Sequence, residues 1–71
     1  MIYQLFKNPM TGELAPVIIR LSDGASIPED PANTDYQNFK VQINNDQAQL
    51  EDAEGVLMTP EEAKAYVATL P

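Results

Sequence analysis

The sequence predicts a small α+β fold: an N-terminal antiparallel β-hairpin of two or three strands, packed on two short helices at about 34–44 and 60–70. Three observations carry this. β-Branched and aromatic residues alternate over Ile2–Lys7 and Pro16–Leu21, with turn residues between them. Tyr36, Phe39, Lys40 and Ile43 recur at helical spacing just after a capping residue. Thr59-Pro60-Glu61-Glu62 is a complete helix-start signal. At 71 residues, the stretch 1–71 reads as one small domain.

Over Ile2–Lys7, Ile2, Gln4 and Phe6 point one way and Tyr3, Leu5 and Lys7 the other. Asn8-Pro9-Met10-Thr11-Gly12-Glu13 is turn chemistry. In the second strand Val17, Ile19 and Leu21 share a side, with Ile18 and Arg20 opposite. Ser22-Asp23-Gly24-Ala25 turns the chain, and Ala25–Ile27 is the candidate third strand. Pro28 and Pro31 keep Ile27–Asp30 extended, because the residue before a proline avoids the α region. Asn33 or Thr34 then caps the first helix, with Asp35 in its first turn. Residues 47–58 fit a small hairpin closed at Gly55 or an acidic loop, the hairpin being preferred. Ala63, Tyr66, Val67 and Leu70 make the apolar face of the second helix.

The expected core is Ile2, Leu5, Phe6, Val17, Ile19, Leu21, Tyr36, Phe39, Ile43, Leu57, Tyr66, Val67 and Leu70. That is thin, since a domain of this size buries only about 60 % of its unfolded surface. Packing that side of the hairpin inward leaves Tyr3, Leu5 and Ile18 as an apolar patch on the other, with Leu5 counted on both sides. Tyr3, Leu5, Met10 and Ile18 are therefore the expected partner-contact residues.

Composition removes many chemistries. There is no Cys and no His, so disulfides, thiolate or imidazole metal sites and Cys- or His-based catalysis are out. The net charge is −7, and Lys7, Arg20, Lys40 and Lys64 are the only cations, too few and too scattered for nucleic acid or an anionic membrane. No apolar run reaches membrane-spanning length, and no signal peptide is visible at the N-terminus. Asp52, Glu54, Gly55 and Glu61 suggest a calcium loop, but that register puts Leu50 in the first ligand place. The adjacent acids Glu29-Asp30, Glu51-Asp52 and Glu61-Glu62 lack the facing geometry of acid–base pairs. Ser22 and Ser26 have no activating base, and Gly12, Gly24 and Gly55 do not cluster as a phosphate cradle. The reading is a non-enzyme with no catalytic residue, metal, cofactor or small-molecule substrate.

The run Ile27-Pro28-Glu29-Asp30-Pro31-Ala32-Asn33-Thr34-Asp35-Tyr36-Gln37-Asn38-Phe39 carries a resemblance. It is similar to an Ile-Pro-x-Asp-Pro-x-Asn-x-Asp-Tyr-x-x-Phe segment found in small proteins of tailed-bacteriophage structural gene clusters. The lead-in Ile19–Ser26, a strand and turn, fits too. The chain departs from the family pattern in having no Trp and in continuing to a second capped helix. The resemblance implies a structural component of a tailed-phage virion, in tail or capsid, made in the host cytoplasm. Its partners would be larger phage structural proteins or further copies of itself. A tail-fibre assembly chaperone that leaves before maturity, or a small acidic inhibitor of a host protein, are the alternative expectations.

Overall fold

The computed structural model describes residues 1–71. The elements run β1 (Ile2–Lys7), β2 (Leu14–Arg20), β3 (Ala25–Pro28), α1 (Thr34–Asn44), β4 (Gln49–Glu51) and α2 (Pro60–Val67). The α+β expectation holds, with all three N-terminal strands present and both helices in place. Each turn forms for a local reason. Gly12 and Gly24 take φ of +74° and +72°, closing the β1–β2 and β2–β3 connections where a Cβ would be strained. The Asn8 side chain accepts from the Met10 amide, and the Asn8 amide donates to the Glu13 carbonyl.

The sheet is mixed, in the order β3-β2-β1-β4. β2 pairs antiparallel with both β1 and β3. β4 arrives after α1 and pairs parallel with β1, setting Tyr3 opposite Leu50 and Gln4 opposite Glu51. A parallel neighbour needs a crossover rather than a tight turn, and α1 is part of that crossover. The preferred hairpin at 47–58 is present in miniature. The Met58 amide donates to the Leu50 carbonyl, the Asp52 amide to the Val56 carbonyl, and Glu51 bridges Leu57. Gly55 takes φ of +83° in the turn between them.

The resembling segment is the corner that turns β3 into α1, and its distinguishing residues all take part in the fold. Ile27 is buried, and Pro28 ends the edge strand. The Asp30 side chain accepts from the Ala32 amide while its carbonyl accepts from the Asn33 amide, making a turn with Pro31 at its second place. Asn33 caps α1 by accepting from the Tyr36 amide at 3.0 Å. Asp35 lies 3.5 Å from the Arg20 guanidinium. Tyr36 and Phe39 are fully buried.

α2 begins at the predicted capping box: the Thr59 hydroxyl accepts from the Glu62 amide, and the Glu62 carboxylate accepts from the Thr59 amide. It stops at Val67, earlier than expected. Past that point Thr69 and Leu70 donate to carbonyls three residues back, and Leu70 precedes Pro71, where α geometry is disfavoured.

Both helices lie on one face of the sheet. The core between the layers is Tyr3, Leu5, Ile18, Ile27, Tyr36, Phe39, Ile43, Leu50, Ala63 and Val67. The sheet faces are thus inverted relative to expectation. Tyr3, Leu5 and Ile18 point inward, while Ile2, Phe6, Val17, Ile19 and Leu21 point outward. Leu57 is also largely exposed, and Tyr66 and Leu70 are half-buried. The interior nevertheless closes. The accessible surface of 4350 Å² is close to the value of about 4,400 Å² for a compact monomer of 7.8 kDa. The radius of gyration is 11.2 Å, against about 11 Å for a folded chain of this length.

Candidate functional site

The candidate site is the sheet face that no helix covers. Strand register defines it. Tyr3, Leu5, Ile18, Ile27 and Leu50 align on the covered side. The residues between them therefore line the other side: Ile2, Gln4 and Phe6 from β1, Val17 and Ile19 from β2, and Leu21 just past its end. Ser26 and Pro28 come from β3, and Gln49 and Glu51 from β4. The apolar side chains come from the two central strands and the polar ones mostly from the edges. Phe6 is 45 % exposed and Leu21 41 %. Phe6 sits where the β1–β2 register shifts, between Leu5 and Lys7.

Three of the four expected contact residues are elsewhere. Tyr3, Leu5 and Ile18 are buried under the helices, so this fold presents none of them to a partner. The physical reason is that alternation fixes which residues share a side, but not which side turns inward. Met10 is 93 % exposed at the tip of the β1–β2 turn, apart from the sheet face. One signal pointed the right way. Gln4 lies between Ile2 and Phe6, whereas Tyr3 and Leu5 follow one another on their side without a polar break.

The sheet edges offer less than the face. Residues 56–58 cover the outer side of β4. β3 is only four residues long and ends at Pro28, which has no N–H to donate.

Charge lies mostly away from the open face. Of the eleven acidic residues, Glu51 alone is in a strand. All four cations are engaged within the chain. Lys7 pairs with Glu54, Lys64 with Asp46, and Arg20 with Asp23 and Asp35. Lys40 donates to the Pro71 carbonyl oxygen and stands 4.9 Å from the Tyr36 ring centre. The two-pronged hydrogen bond from Arg20 holds the Asp23 carboxyl down at about 2 and raises the guanidinium in turn. Burial pushes the Glu29 carboxyl up. Burial also raises Tyr36 and Tyr66, and the nearby Glu29 charge adds to both.

On the helix side, Ile43, Ala48, Leu50, Leu57, Met58 and Ala63 line a groove of about 350 Å³. No group of three or more acidic side chains is placed to hold a metal ion. No helix is long and apolar enough to cross a membrane. Compared with protein-family models, curated proteins and solved structures, the chain matches none of them.

Proposed function

We propose that this protein is a non-enzymatic structural component of a tailed-phage virion, an accessory subunit of tail or capsid that works through protein–protein contacts. The observation that carries the reading is the open sheet face, with five apolar side chains at its centre and no helix over them. An apolar surface of this kind on a small acidic chain is what a contact subunit needs, and a catalytic cleft is not. The resemblance over Ile27–Phe39 supplies the phage setting. Its residues build the strand-to-helix corner, which suits a subunit valued for a rigid shape.

The test is mass spectrometry of purified particles alongside lysate from infected cells. The chain is expected in mature particles at a fixed ratio to the other structural proteins. Presence in the lysate with absence from the particle would replace this reading with an assembly factor.

A further inference from the structure

We propose that the open sheet face binds a second copy of this chain, two sheets stacking face to face in a symmetric dimer. The proposal rests on the preceding reading of that face as a contact surface and names its occupant. Two observations favour a like copy, and a third limits how tightly it is held.

The first is the layout. Ile2, Phe6, Val17, Ile19 and Leu21 belong to the two central strands and their ends, while β3 and β4 contribute Ser26, Gln49 and Glu51 at the margins. An apolar centre with a polar rim is the anatomy of a protein–protein interface. Because the centre lies over the middle of the sheet, a two-fold rotation superimposes apolar on apolar.

The second is charge. The face has no cation and one acid, Glu51, although the chain carries −7 overall. Nothing on it selects a surface of opposite charge, and nothing but Glu51 opposes a like copy. A two-fold axis parallel to the strands sets β4 of one copy against β3 of the other. Glu51 then meets Ser26 and Pro28 instead of a second Glu51. Sheets stacked this way lie about 10 Å apart with interleaved side chains, as in β-sandwiches.

The third is area. Strands of six, seven, four and three residues, at about 3.4 Å per residue and about 4.8 Å apart, give a footprint of roughly 330 Å² per copy. The pair then buries roughly 650 Å², well below the 1,200 Å² or so of a standard stable complex. The dimer is therefore concentration-dependent. The compact monomer surface fits with this, since each copy is closed before it pairs.

Sedimentation equilibrium over a concentration series tests the pairing. The weight-average mass is expected to rise from 7.8 kDa towards twice that value with concentration. Added salt should strengthen association, because it screens the repulsion between two chains of −7. Ile19→Lys is expected to hold the mass at the monomer value across the same range, and Met10→Lys to leave association unchanged. Should Ile19→Lys fail to fold by circular dichroism, Phe6→Lys at its more exposed position takes its place. A wild-type chain that stays monomeric at its solubility limit overturns the proposal. So does dimerisation that survives the substitution on the face, or that salt weakens. Either failure leaves the virion reading standing on its own particle measurement.

Discussion

The Tyr3 hydroxyl donates a 2.7 Å hydrogen bond to Gln42 Oε1, tying the first strand to a helix thirty-nine residues later. The same ring meets Phe39 edge-on, with centroids 4.9 Å apart. Phe39 in turn stacks near Tyr36 at 6.3 Å, and the Tyr36 hydroxyl donates to the Pro71 carbonyl oxygen. A row of three aromatics thus joins sheet, helix and C-terminal residue. It also gives each buried phenol a partner, without which it would cost stability in the core.

Tyr3→Phe removes the hydrogen bond and keeps the ring. Gln42 is half-exposed, so water can take over its oxygen, and the expected loss is about 0.5–1.5 kcal/mol. Phe39→Ala removes the ring that both tyrosines touch, and the expected loss is about 3–5 kcal/mol. At roughly 0.05–0.15 kcal/mol per residue that is much of the whole stability. Urea midpoints for the two variants check the ordering.

Neighbouring isoleucines should behave oppositely. Ile18 is wholly buried between the layers, while Ile19 lies on the open face. Ile18→Ala should cost about 2–5 kcal/mol. Ile19→Ala should cost below about 1 kcal/mol in the monomer. Urea unfolding at low protein concentration measures both, and equal losses would contradict the placement of the faces.

The α2 start is a further test. Thr59→Ala removes one half of a reciprocal cap and should cost about 1 kcal/mol. Glu62→Ala removes the other half, and the double variant should lose less than the sum of the singles, because the two bonds support one another. Unfolding midpoints for the three variants supply the comparison.

Stability should depend on pH in two opposed ways. The Asp23 carboxyl is held at about 2 in the fold, below its ordinary 3.8. Its contribution is complete above the ordinary value and disappears as pH falls through about 2. Glu29 is shifted the other way by burial, so its ionised form is penalised in the fold. That penalty is lifted as pH falls through its raised folded value. The melting temperature should therefore rise as pH falls from neutral towards the ordinary glutamate value of 4.5, and fall further into acid. Thermal melts of Glu29→Gln should show a weaker rise and greater stability at neutral pH. Asp23→Asn should show a smaller loss at the acid end.

What the residues determined by themselves were the features that depend on near neighbours. Asn33 and Thr59 cap where the side chain meets an amide three residues on. Pro28, Pro31 and the positive-φ glycines set the corners through backbone sterics. Tyr36, Phe39 and Ile43 share a buried stripe because a helix repeats every 3.6 residues. Tertiary structure decided two things that local chemistry leaves open. One is which face of the hairpin turns inward, since both faces carry apolar groups and alternation is blind to their direction. The helices settle it, for Tyr3 finds Gln42 and Phe39 only on their side. The other is the pairing of Leu50 with Tyr3. That contact spans most of the chain, and the short run around Leu50 becomes a strand only because β1 is there to receive it. The open face, and so the candidate site, is what those two choices leave over.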